Sequence, residues 1–177
     1  MRTWILIFVF LFAAAPFLSA QTDKDTTDPL EKFRGNGHIL MIRHALAPGF
    51  GDPDGFNLQD CTTQRNLNDQ GRLQASAIGA WLRSRGVDSA GVFSSQWCRC
   101  LETAELLKMG PVTELPALNS FYEFTENREP NLKALRKFIS EQTGSGKLII
   151  MVTHQVTISA MTDLYVSSGE CVILKLN

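Results

Sequence analysis

The sequence is short of the residues that would announce metal or nucleic-acid chemistry. Its 177 residues include three histidines and four cysteines, and no run of lysine or arginine. With 17 basic against 18 acidic side chains the formal charge is −1, and a near-neutral chain without basic runs has no electrostatic footprint for nucleic acid. Four thiols are too few to staple a miniprotein, so a hydrophobic core must hold the fold. Cys98 and Cys100 stand one residue apart without nearby histidines, which is not zinc-site spacing, so neither a metal nor another cofactor is expected. At 44% apolar and 20% charged residues, the composition argues against intrinsic disorder, a coiled coil or a multi-span membrane protein.

One long apolar run is present, and it stands at the start. Arg2 precedes the apolar residues 4–15, and Leu18, Ser19 and Ala20 form a small-residue exit. This is the pattern of a signal peptide over residues 1–20; the run is short for a membrane span and is followed by Pro16. Its removal leaves about 157 residues, one domain's worth, with a formal charge of −2 and no stable membrane span. Residues 21–36 are polar and read as a tether, and 37–177 as one domain. The expected location is periplasmic or secreted. Export permits a disulfide, from Cys61 to Cys98 or to Cys100, while Cys171 reads as a small buried hydrophobe.

Residues 38–42 are a continuous apolar run, a buried strand leading into a loop rich in glycine and proline. Asn68 is placed to cap a helix whose apolar positions, Leu73, Ala77, Ile78, Trp81 and Leu82, keep a 3.6-residue period until Gly86. Residues 91–93 form a short strand, after which Ser94 or Ser95 caps a helix carrying Leu101, Ala104 and Leu107. Residues 112–118 are expected to be extended, 132–139 helical, 148–152 a buried strand, 156–164 helical and 171–176 a last strand. Strands alternating with helices predict a three-layer α/β/α sandwich with a mostly parallel sheet. In such a sheet ligands sit beyond the carboxyl ends of the strands. Arg43 and His44 end the first strand, Ser94 and Ser95 the second, and Thr153 and His154 the buried one, with Arg99 just inside the helix that follows the second. Two arginines and two histidines delivered to one rim call for a bound anion, and guanidinium groups suit a phosphate.

Four elements in this order resemble the histidine phosphatase superfamily, which includes cofactor-dependent phosphoglycerate mutase and acid phosphatases. Arg43, His44 and Ala45 stand where that family has an RHG turn. Leu67, Asn68, Gly71, Gln74 and Ala75 resemble its L(T/S)xxGxxQA helix start. Ser94, Ser95, Arg99, Thr103 and Ala104 resemble its SSxxxRxxxTA stretch, and Thr153 and His154 its second histidine. The resemblance covers residues 38–176 and implies a phosphoglycerate mutase-like fold. It also implies phosphoryl transfer through a phosphohistidine on His44, with Arg43, Arg99 and His154 holding the phosphate and no metal required. A neutral imidazole is a competent nucleophile if its other nitrogen donates a hydrogen bond that sets the tautomer, and neighbouring arginines keep it neutral by charge repulsion.

Glu123 is the candidate general acid, ahead of Glu126 and Asp60, although its aromatic neighbours differ from the family's usual acid. Residues 45–49 offer no side chain for phosphate, so Arg65 is a candidate substrate ligand. Ala45 adds a methyl group to the family's glycine, which a negative φ tolerates. The leading expectation is an exported phosphatase acting on a small phosphorylated substrate. Alternatives are a phosphosugar phosphatase of the lipopolysaccharide-heptose type, a phosphohistidine protein phosphatase, or a non-catalytic phosphate-binding module. The sequence does not give an oligomeric state.

Overall fold

The computed structural model describes residues 7–8, 37–142 and 148–176. The signal peptide and tether over residues 1–36 therefore lie almost wholly outside the described residues. In chain order the elements are β1 (Ile7–Phe8), β2 (His38–Arg43), α1 (Asp69–Ser84), β3 (Gly91–Ser94), α2 (Cys98–Leu107), β4 (Val112–Glu114), α3 (Arg128–Glu141), β5 (Ile149–Thr153), α4 (Gln155–Thr162) and β6 (Cys171–Lys175). The sheet runs in the order β1-β6-β2-β5-β3-β4. β2, β5, β3 and β4 are parallel to their neighbours, whereas β6 is antiparallel to β2 and carries the two-residue β1 on its outer edge.

Alternation along each strand sends side chains to both faces, and both faces are covered. Leu40, Ile42, Ile150 and Val152 meet Ile78 and Leu82 of α1 and Cys100, Ala104 and Leu107 of α2. Ile39, Met41, Ile149 and Met151 meet Leu135 of α3 and Ile158 of α4. The three-layer sandwich with its mostly parallel sheet is thus the observed architecture. Among the described residues no helix is long and apolar enough to cross a membrane.

Local signals explain the helix ends. The Asn68 side chain accepts a hydrogen bond from the Gly71 N–H at 2.8 Å and caps α1, and Gly86, at φ 77°, turns the chain away past its end. Three readings need correction. Leu73 is 71% exposed, because the inner face of α1 is set by Gly71, Ala75, Ile78, Gly79 and Leu82. Neither Ser94 nor Ser95 caps α2; Trp97 holds the cap position, and Gln64 Oε1 accepts from the Cys98 N–H at 3.0 Å. The extended run ends at Glu114, since Pro116 opens a 3-10 turn through Leu118.

Cys61 is joined to Cys98. Cys100 lies about 200° further round α2, on its buried face, so it could not take that partner. α1 and α2 approach so closely that a Cβ on Gly79 would stand 2.0 Å from the Leu107 carbonyl oxygen.

Two measurements check this packing. Gly79→Ala is expected to destabilise the protein by about 2 kcal/mol or more through overpacking, read as a lower denaturation midpoint. Thiol titration in denaturant without reductant should find two free cysteines, Cys100 and Cys171; four would contradict the bridge.

Candidate active site

Strand order assembles the site. β5 lies between β2 and β3, with Arg43 level with Thr153 and Ser94 level with Val152. The chain therefore leaves three adjacent strands at one height, placing His44, His154 and Ser95 side by side. The His44 N–H donates to the Thr153 carbonyl at 2.9 Å, and the Ser95 N–H to that of Val152 at 2.9 Å. The two imidazole rings stand edge to face with centroids 5.6 Å apart. A cleft of about 270 Å³ opens above them, bordered also by Arg43, Arg65, Arg99 and Glu123. Arg43, His44, Arg65, Arg99, Glu123 and His154 thus border one cleft, whereas the lesser acid candidates Asp60 and Glu126 do not.

His44 is buried, and its Nδ1 lies 2.8 Å from the Ala45 carbonyl oxygen. A carbonyl only accepts, so Nδ1 carries the proton and Nε2 keeps its lone pair. Burial and then the Arg99 charge lower the His44 pKa to about 3, with Arg65 and Arg43 adding to the effect. The imidazole is neutral at ordinary pH, and burial contributes more to this than any single arginine does. Ala45 is absent from the positive-φ residues. Its N–H donates to Thr103 Oγ1, whose hydroxyl in turn donates to the Arg99 carbonyl.

His154 is also buried, with Nε2 2.9 Å from Ser95 Oγ and 3.5 Å from Cys100 Sγ. The Ser95 hydroxyl donates to Asn119 Oδ1 at 3.2 Å, so it accepts from His154, whose proton is then on Nε2. Burial, Arg99 and His44 hold the His154 pKa well below the ordinary value. Burial pushes the Cys100 thiol up to about 12, which makes it an unreactive neighbour.

Asp52 is a site residue that sequence reasoning missed. Its carboxylate takes Arg99 end-on, Oδ1 to Nη1 at 2.8 Å and Oδ2 to Nη2 at 3.1 Å, with side chains only 5% and 4% exposed. Trp97 Nε1 donates to the same carboxylate at 3.0 Å, as does the Arg65 N–H at 3.0 Å. Burial alone would raise the Asp52 pKa; the bonds from Arg99 and the Arg65 backbone outweigh it and hold the carboxyl below its usual range. In sequence, Gly51, Asp52 and Pro53 read only as turn residues.

Arg65 borders the cleft, but its Nε donates to the Gly51 carbonyl at 2.7 Å and its Nη1 to that of Ala47. Arg43 gives Nη1 to the Val166 carbonyl at 2.9 Å. The Nε–H groups of Arg43 and Arg99 are buried and have no partner among the described residues, which costs about 1–3 kcal/mol each until an acceptor arrives. Three guanidinium groups against one buried carboxylate leave two positive charges uncompensated, the complement of a phosphomonoester dianion. Glu123 is exposed at the rim, and its Oε1 accepts from the Asp52 N–H at 3.2 Å.

The family model described as histidine phosphatase superfamily (branch 1) matches residues 39–128. The chain belongs to that superfamily. The match spans β2, α1, α2 and the loop carrying Asp52 and Arg65, and stops before the strand that delivers His154. A curated relative, the mitochondrial serine/threonine-protein phosphatase Pgam5 of Drosophila virilis, is 36% identical over 70 residues, which are 40% of this chain and 22% of that protein. The chain thus spans about a fifth of that relative's length. The protein histidine phosphatase SixA, solved with tungstate, superimposes with a TM-score of 0.56 at 15% identity, covering 76% of this chain and 85% of that one. A phosphoserine phosphatase from Entamoeba histolytica, solved with phosphoserine, gives 0.55 at 13% identity, covering 77% and 89%. At such identities the two structures bear on the fold alone.

Acid unfolding tests the buried neutral imidazole. The His44 pKa falls from 6.5 to about 3 on folding, so between those values the unfolded chain binds the extra proton. Its contribution to stability is complete above pH 6.5 and declines toward pH 3, by up to about 1.4 kcal/mol per pH unit. Denaturant titrations between pH 7 and 4 should give a shallower loss for His44→Asn than for the parent; equal slopes would show that His44 is not held neutral.

Proposed function

We propose that the protein hydrolyses a small phosphomonoester through a phosphohistidine on His44. The observation carrying this reading is the free Nε2 lone pair of a buried neutral His44 beside the unpartnered Nε–H groups of Arg43 and Arg99. His44 Nε2 attacks phosphorus as the P–O ester bond breaks, and the departing oxygen takes a proton from the Glu123 carboxyl to leave as the alcohol. Water then attacks the phosphohistidine, returns its proton to Glu123 and frees phosphate with His44 restored. The arginine Nε–H groups bind the equatorial oxygens, where charge builds in transfer. Asp52 takes only the outer edge of Arg99, so the Nε edge stays available. A phosphate dianion favours a second proton on His154, which lets Nδ1 donate to the phosphate while Nε2 stays on Ser95.

Arg65 acts here as a charge and as a clamp on the loop through Gly51 and Ala47, with substrate contact confined to the nitrogen those carbonyls leave over. The signal-peptide pattern and the Cys61–Cys98 bridge support a periplasmic or secreted enzyme, because disulfides persist in oxidising compartments. The lone-pair geometry of His44 favours catalysis over a module that only binds phosphate.

Purified enzyme should hydrolyse p-nitrophenyl phosphate in the presence of a chelator, and His44→Ala should lower kcat/KM by at least about 10³-fold. Rapid quench should trap a phosphoenzyme that is labile in acid and stable in base. An acid-stable adduct would rule out phosphohistidine, and phosphate binding without turnover would make the chain a binding module. With an alkyl phosphate, whose leaving group needs protonation, Glu123→Gln should reduce kcat by about 10²-fold or more; an unchanged rate removes Glu123 from the mechanism.

A further inference from the structure

The outer half of the cleft differs in chemistry from its base. Among the described residues, four large apolar side chains are prominently exposed, and three of them, Phe50 at 98%, Tyr122 at 62% and Tyr165 at 72%, border this cleft. They come from separate segments: the loop between β2 and α1, the stretch before α3, and the loop between α4 and β6. Convergence of three exposed rings from three segments on one opening is the mark of a binding surface. Behind them the wall is also aromatic. Phe56 stacks on Trp97 with centroids 5.2 Å apart and contacts Phe124 at 6.2 Å, and Trp97 meets His154 edge to face at 5.3 Å.

Charge is distributed in the opposite sense. The three arginines bordering the cleft are committed at its base to Asp52, to loop carbonyls and to the phosphate position, whereas the side chain among the rings that can carry charge is an acid, Glu123. A second anionic group on the substrate would meet aromatic faces and an acidic side chain instead of a cation. At about 270 Å³, the cleft lies at the small end of ligand pockets, with room for a phosphate and one ring system.

We infer that the preferred substrates are phosphomonoesters whose alcohol carries an aromatic ring close to the ester oxygen and no second anionic group, the ring being held by Phe50, Tyr122 and Tyr165. The inference rests on the phosphatase reading for its catalytic readout. Aromatic contacts of this kind reward a ring over an aliphatic or sugar group, and the exposed rings lose solvent contact when it binds.

The test compares 2-phenylethyl phosphate with ethyl phosphate and glucose 6-phosphate, all primary alkyl esters, so that leaving-group chemistry is closely matched. The expected kcat/KM for the phenylethyl ester is at least about tenfold above either of the others. Phe50→Ala, Tyr122→Ala and Tyr165→Ala, each made singly, should each narrow that ratio. Calorimetric binding of phenylphosphonate against methylphosphonate, neither of which can be hydrolysed, should show the same ring preference. A ratio near one, a preference for the sugar ester, or a ratio unmoved by all three substitutions would overturn the inference. Ring-selective phosphonate binding without hydrolysis of any ester would overturn the phosphatase reading and leave the ring site standing; hydrolysis of all three esters at equal efficiency would do the reverse.

Discussion

The buried ion pair between Arg99 and Asp52 joins the two parts of the molecule that make the site. Arg99 is fixed by α2 and hence by the sheet, whereas Asp52 sits in a loop with little regular structure. A carboxylate that receives both Arg99 Nη groups and Trp97 Nε1 ties that loop down with three bonds, and the Arg65 N–H on the same carboxylate closes the loop on itself. The pair is costly to bury unless each oxygen is satisfied, and here both are. The Cys61–Cys98 bridge adds a covalent tie between the same loop and the start of α2, one residue from Arg99.

This arrangement sets the electrostatics of the cleft. Without Asp52, three guanidinium groups would crowd two buried imidazoles with no internal counter-charge; with it, the excess matches a dianion. The imidazoles respond by staying neutral, with burial the largest single cause and the arginines adding to the cost of charging them. Their hydrogen bonds then give opposite tautomers, His44 with the proton on Nδ1 and His154 on Nε2. One fold thereby presents a nucleophilic lone pair at one ring and a proton-accepting nitrogen at the other.

Much of this was legible in the sequence because the signals are local. The apolar runs that become β2 and β5 are continuous, as strands buried on both faces must be, and Asn68 three residues before Gly71 is a cap readable in one dimension. Arg43, His44, Arg99 and His154 stood out through their position at strand ends or at a helix start. What escaped depends on contacts between segments far apart in the chain. Asp52 resembles any aspartate before a proline, and only its meeting with Arg99, 47 residues on, gives it a role. Leu73 fits the helical period but faces outward, because glycines at 71 and 79 let backbone instead of side chain form the contact.

The sequence by itself determined the layer architecture, the superfamily and the chemical type of the candidate site residues, since periodicity and motif order are properties of neighbouring residues. The tertiary structure decided which cysteine bridges to Cys61, how Arg99 is neutralised, which nitrogen of each imidazole is free, and that the opening is rimmed with aromatic rings. Each of those depends on a distance between groups remote along the chain, and that distance is set by packing once the strands have taken their order.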